Sequence, residues 1–276
     1  MRLIFLTLAA ALAWGAGTER IVSTAPSVTE TLFAMGLGPR VVGVTIFCNF
    51  PPEAATLPKI GSLLHPDIEA IVALHPDLVV VQNKYRSLSD QLSRLRINYV
   101  EVPSDDLKGI FAGAREIGRA TGSTPAAEQL ISSIHARFDR VRAQAAGLPK
   151  PRVAFIVGHT GNSLEGLIAG AAHSYFSDLI EIAGGLDIFA DSASPYPRIS
   201  LEEILSRNPD VILELTGEGK EKQAQVVRLW SEHRGIRAVA NGRVYAIPPG
   251  PFLIPGPRAA EAAESLIRML HPKSGS

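Results

Sequence analysis

One thirteen-residue pattern occurs twice in this 276-residue chain, and it constrains the fold more than any other feature. Ile68 to Val80 aligns without gaps on Leu201 to Leu213. Both copies read apolar–Glu–x–Ile–apolar, then a short spacer, then Pro-Asp and three apolar residues. Proline disfavours helical backbone in its predecessor, so each copy predicts a two-turn helix that ends ahead of Pro76 or Pro209. The apolar run that follows predicts a short strand buried on both faces. A weaker echo pairs Thr29–Gly36 with Ser177–Gly184, each a helix stopped by glycine. Offsets of 133 and 148 residues are far too long for a solenoid. They predict two similar lobes.

The rest of the chain fits an α/β plan in each lobe. Arg20 to Ser23 and Val41 to Val44 read as strands around a helix, and Ser27-Val28-Thr29-Glu30 has the S-x-x-E form of a capping box. Between the lobes, Leu130, Ile131, Ile134, Phe138 and Val141 form a helical stripe. Ser123 or Thr124 with Pro125 should start this helix, and Gly147 with Pro149 should stop it. About 22 residues span roughly 33 Å, and the segment lacks the Gly/Ser content of a flexible hinge. It should act as a strut. Arg152 to Val157 opens the second lobe, Val244 to Ile247 is its last strand, and a helix from Ala259 to Leu270 closes it. The expected organisation is therefore a leader over 1–17, an N-terminal α/β lobe over 18–122, a backbone helix over 123–148, and a C-terminal α/β lobe over 149–276.

The leader has three parts: Met1-Arg2, an uncharged apolar run from Leu3 to Trp14, then Gly15-Ala16-Gly17. That is the form of a cleavable secretory signal, and its apolar core is too short to span a bilayer. Its removal leaves 26 basic against 27 acidic residues. Neutral charge argues against nucleic acid as a partner. The single cysteine, Cys48, lies well past the leader, so it offers neither a disulfide nor a lipid anchor. A periplasmic, soluble monomer is expected.

The sequence contains no nucleophile elbow, zinc-protease helix or phosphate loop. Gly217-Glu218-Gly219-Lys220 lacks the first glycine and the Ser/Thr of a phosphate loop. None of the seven histidines falls at i, i+4 spacing. Neither an enzyme nor a resident metal or cofactor is expected. An exported hydrolase on the same frame remains the alternative from another class.

Taken in order, these motifs resemble one family, the substrate-binding proteins of ABC importers for cobalamin, haem and ferric siderophores. The resemblance spans about residues 20–271. It rests on Arg20-Ile21-Val22-Ser23 with Pro26-Ser27-x-x-Glu30, Val42-Gly43-Val44, Pro51-Pro52 and both Pro-Asp repeats. Ala183-Gly184-Gly185 with Ile188-Phe189, Gly242-Arg243-Val244-Tyr245 and Pro255-Gly256-Pro257-Arg258 complete it. It implies two α/β lobes joined by one long helix, a ligand held between them and only small opening motions. It also implies delivery to a membrane permease, docked through Glu69 on one lobe and Glu202 on the other.

For the cleft, the resemblance to cobalamin binders points to Phe47, Phe50 and Tyr196, with Tyr85, Phe252 and Arg258 as further loop candidates. Two positions that are tryptophan in the best-known cobalamin binder look like Leu63 and Gln82 here. A corrinoid is the expected cargo. A ferric siderophore would need several cleft cations, for which the loops offer Arg86, Arg198 and Arg258. Haem would need an axial ligand from Tyr85, Tyr196, His65, His159 or His173.

Overall fold

The structure, a computed structural model, describes residues 18–82, 86–103 and 106–272. The expected leader and Tyr85 lie outside the described residues. In the N-terminal lobe the order is β1 (Ile21–Ser23), α1 (Pro26–Ala34), β2 (Val41–Val44), α2 (Pro52–Ala55), α3 (Ile68–Ala73), β3 (Leu78–Gln82), α4 (Arg86–Arg94), β4 (Tyr99–Val102) and α5 (Leu107–Ala120). The long helix α6 (Thr124–Ala145) follows. The C-terminal lobe contains β5 (Arg152–Gly158), β6 (Leu167–Gly170), α7 (Tyr175–Ile182), β7 (Leu186–Asp187), β8 (Arg198–Ile199), α8 (Leu201–Arg207), β9 (Val211–Leu215), α9 (Lys220–Ser231), α10 (Arg237–Ala240), β10 (Val244–Ile247) and α11 (Ala259–Leu270).

The N-terminal sheet is parallel in the order β2-β1-β3-β4. The parallel strands of the C-terminal sheet run β7-β5-β9-β10, the same winding, with β6 added antiparallel to β5 and β8 antiparallel to β6. Side chains alternate between faces as strand geometry requires. Ile21, Leu78 and Val80 pack on one side of the first sheet, and Val22, Val79 and Val81 on the other. Val153, Phe155 and Leu213 oppose Ala154, Ile156 and Ile212 in the second.

The repeat performs the same task in each lobe. Asp77 Oδ2 accepts the backbone N–H groups of Glu19 and Arg20, and Asp210 Oδ2 accepts that of Arg152 at 2.8 Å. Each aspartate thus ties its short helix to the start of its lobe's first strand. The arginines answer: Arg20 donates to the carbonyls of Leu74 and His75, and Arg152 to that of Arg207. The residues before the prolines, His75 and Asn208, turn left-handed at φ 45° and 44° rather than extended. That single left-handed step ends the helix and redirects the chain into the strand. The weaker echo holds too, since α1 and α7 are followed by Gly36 and Gly184 at φ 76° and 77°.

Asp210 is half-buried and also pairs with Arg237 at 3.2 Å, whereas Asp77 is exposed. Asp210→Ala is therefore expected to lower the unfolding free energy by about 1.5–3 kcal/mol, and Asp77→Ala by about 0.5–1.5 kcal/mol. Urea melts of both variants check the order. Equal losses would mean that burial does not set the strength of this tie.

Helix α6 has the expected 22 residues. Its buried stripe, Ala127, Ile131, Ile134, Phe138 and Val141, starts in the N-terminal core and continues into the C-terminal one. Pro125 sits in the first turn, but the N-cap Ser123 makes no side-chain capping bond. Leu107, Ile110, Phe111 and Ala114 of α5 join the same cluster as Phe155, Leu179 and Leu266. Arg137 of α6 forks onto Glu264 of α11 with two 2.8 Å bonds. The lobes thus share a continuous core behind the cleft.

Candidate functional site, an aromatic cleft between the lobes

The first helix departs from the sequence expectation. Ser27 and Glu30 do not form a capping box: α1 begins at Pro26, and its N-cap Ala25 has no side chain to cap with. Proline is well suited to the first turn, where its missing N–H leaves nothing unpaired. Starting there places Ser27 and Glu30 within the helix, on the wall of the inter-lobe space. Ser27 Oγ accepts from Gln82 Nε2 at 2.8 Å. Glu30 reaches across to the other lobe.

Glu30 Oε2 and Oε1 accept the Nε and Nη2 groups of Arg258 at 2.9 and 2.5 Å. Arg258 stands just before α11, and both side chains are largely buried, at 3% and 15% exposed. Phe50 lies over the guanidinium, its ring centroid 4.0 Å away. Glu30 holds the guanidinium more firmly protonated, yet burial still pushes the Glu30 carboxyl upward. Desolvation of the acid therefore exceeds what one arginine offsets.

In front of this latch lies a cavity of about 610 Å³. Phe47, Phe50 and Leu63 line it from the N-terminal lobe; Tyr175, Phe176 and Tyr196 line it from the C-terminal lobe. Phe47, Phe50 and Tyr196 are exposed for aromatic residues, at 58%, 43% and 40%. On the C-terminal side the rings are braced in series. Tyr196 meets Phe176 edge-on at 6.2 Å, and Phe176 stacks on Phe155 at 4.3 Å. Tyr175 Oη donates to the Pro251 carbonyl at 2.7 Å, and burial pushes its hydroxyl well above the usual range. Gln82 closes the N-terminal wall as the last residue of β3.

The structure thus brings together Phe47, Phe50, Gln82, Tyr196 and Arg258, along with Leu63. Phe252 is a correction. It is buried, 6.2 Å from Phe155, and belongs to the core. The turn closed by Leu253 N–H onto the Gly250 carbonyl directs Phe252 inward, and Leu253 and Ile254 face the cleft instead. Sequence reasoning missed Glu30, which the capping pattern accounted for locally. It also missed Phe176, although an adjacent Tyr-Phe pair after a strand was a usable signal. His65 and His173 are exposed and lie outside the cleft lining.

Glu69 and Glu202 occupy the second positions of α3 and α8, and both are exposed. The expected N-caps are present: Asp67 accepts from the Ala70 N–H and Ser200 from the Glu203 N–H. Glu203 is engaged locally with Arg207 at 3.0 Å. The backbone N–H of Glu202 itself and the Ser200 hydroxyl hold the Glu202 carboxyl below the usual range.

Two lobes on a strut, with a cleft walled by aromatic rings and a self-neutralised ion pair, define a binding protein for a bulky small molecule. The chain belongs to the periplasmic binding protein family, whose profile matches residues 21–251. A vitamin B12-binding protein of Vibrio cholerae serotype O1 is 28% identical over 255 residues, covering 91% of this chain and 89% of that protein. The crystal structure of the periplasmic vitamin B12 binding protein of Vibrio cholerae superposes with a TM-score of 0.74 at 25% identity, over 91% of this chain and 96% of the other. The periplasmic heme-binding protein RhuT of Roseiflexus sp. RS-1, solved in apo form, superposes at 0.77 with 25% identity, over 92% and 98%. No helix among the described residues is long and apolar enough to cross a membrane.

Proposed function

We propose that this protein captures a corrinoid of the cobalamin type in the inter-lobe cleft and delivers it to the permease of an ABC importer. The observation that carries this reading is the charge state of the cleft. Arg258 is the one cation among the described lining residues, and Glu30 occupies its fork. A ligand rich in carboxylates, such as haem or a carboxylate siderophore, gains most from free cations. A large cargo whose periphery is mainly amide and apolar fits rings and a neutral floor. The names of the vitamin B12-binding relatives support the same choice.

Catalysis is not part of this reading. The serine hydroxyl in the cleft wall, that of Ser27, is held by Gln82 rather than by a base. The protein works as a periplasmic monomer exported by residues 1–17. It has no cofactor of its own; any metal arrives inside the cargo. Cys48 is buried beside Thr45, its Sγ 3.1 Å from the hydroxyl. Glu69 and Glu202 meet basic groups of the permease, one from each lobe.

The test is titration with cyanocobalamin, haemin and a ferric siderophore, following heat and visible absorbance. Corrinoid binding weaker than about 100 μM, or roughly −5.5 kcal/mol, sinks the reading. A Soret shift with haemin and no corrinoid heat would replace it with a haem carrier. Tyr196→Ala is expected to weaken cyanocobalamin about 2- to 10-fold, the loss of one aromatic platform.

A further inference from the structure

An aliphatic side chain exposed on its own is ordinary surface. Two of them at the same register of an internal repeat are not. Val72 on α3 and Leu205 on α8 are separated by the offset that lays Ile68–Val80 on Leu201–Leu213. They are exposed to nearly the same degree, 41% and 42%. Each stands three residues after its glutamate, Glu69 or Glu202, and residues three apart share a helix face. Ile71 and Ile204 take the opposite face and are fully buried. The next outward residue is short in both copies, Ala73 and Ser206, and it too is exposed. Each outward face thus reads acid, aliphatic, small, with no basic side chain on it.

The charge around these faces points to a basic partner. Beside Glu202 the surface dips into a pocket of about 660 Å³. Its lining sets Glu165, Glu202 and Glu232 against His233 alone, with no lysine or arginine among the described residues. Charge of this kind steers an encounter, but exposed ion pairs are weak and screened by salt. How long a partner stays depends on the contacts it dries out, and aliphatic surface supplies those without a desolvation cost.

We propose that Val72 and Leu205 are paired apolar anchors of the permease contact, so that the partner presents one composite site twice, a basic group beside an apolar depression. The inference rests on the docking role given to Glu69 and Glu202 in the proposed function. The glutamates set where the permease lands, and the aliphatic side chains set how long it stays. Two equivalent anchors also keep both lobes engaged, where one would let the protein pivot about a single lobe.

The experiment measures cyanocobalamin uptake by the reconstituted importer as the concentration of the mature protein is raised, with dissociation from the permease followed at low and high salt. Val72→Ser with Leu205→Ser should raise the half-maximal concentration about 10-fold, or about 1.4 kcal/mol. Its dissociation should be faster at both salts, with association unchanged. Val72→Ile with Leu205→Met keeps the apolar surface and should behave as wild type. Each serine variant alone should show about a 3-fold effect, half of the double in free energy. The melting temperature and the cyanocobalamin dissociation constant should stay at wild-type values throughout. Wild-type dissociation by the serine double, an effect confined to one lobe, or loss of its ligand affinity overturns the anchors and leaves the glutamate docking intact. Full uptake by Glu69→Ala with Glu202→Ala overturns both.

Discussion

Glu30→Ala is expected to lower the unfolding free energy by about 3–5 kcal/mol, because it strands a buried guanidinium. Arg258 has both faces of its fork on Glu30, and Phe50 covers its plane. At 2–4 °C per kcal/mol for a chain of this size, the melting temperature should fall by roughly 10 °C. The companion double variant, Glu30→Met with Arg258→Met, should recover most of that loss. Desolvation already outweighs the attraction at Glu30, so two apolar side chains of similar length remove a cost along with a bond. The sign also shows in pH. A carboxyl raised on folding binds its proton more readily in the native state. Its contribution is therefore fully present below the ordinary glutamate range and is lost as pH rises through the raised value. The double variant should lack this dependence. Calorimetric melts from pH 4 to 8 on the three proteins read both effects. A single variant within 1 kcal/mol of wild type would show that the ion pair does not hold the lobes.

The second large effect is on delivery rather than stability. Glu69→Ala combined with Glu202→Ala should abolish corrinoid uptake in a reconstituted importer, with the cyanocobalamin dissociation constant unchanged within about twofold. Both side chains are exposed at helix starts remote from the cleft lining. Each contact contributes only about 0.2–1 kcal/mol as an exposed pair, so the two act mainly by orienting the encounter. Either single variant should therefore keep partial uptake. Full uptake by the double variant, or loss of its ligand affinity, would contradict the role assigned to these residues.

Much of the fold was legible because the chain states it twice. The Pro-Asp repeat, the stripe on α6 and the glycine stops are local signals, and local chemistry decides them. Phe47, Phe50, Gln82 and Tyr196 were legible through the family resemblance, and they do converge on the cleft. Glu30 was not, because S-x-x-E satisfies a capping rule equally well. Only the partner 228 residues away distinguishes a cap from a latch. Phe252 failed for the opposite reason. A Pro/Gly-rich loop gives no periodicity from which to tell the inward residue from its outward neighbours Leu253 and Ile254. His159, a candidate haem ligand in the sequence, lies instead against the buried Glu214, since β5 and β9 bring the two together across 55 residues of chain.

The ties made by Asp77 and Asp210 have a geometric consequence. Each short helix is fastened to its own sheet through the first strand, so neither α3 nor α8 can swing independently of the lobe that carries it. If the lobes move, the distance between Glu69 and Glu202 would therefore follow them like the opening of a caliper whose arms are the two sheets. A change of a few degrees at the cleft would be displayed on the outer surface as a change in carboxylate spacing. A partner with two fixed basic groups would gauge from outside whether the jaws are shut on a cargo.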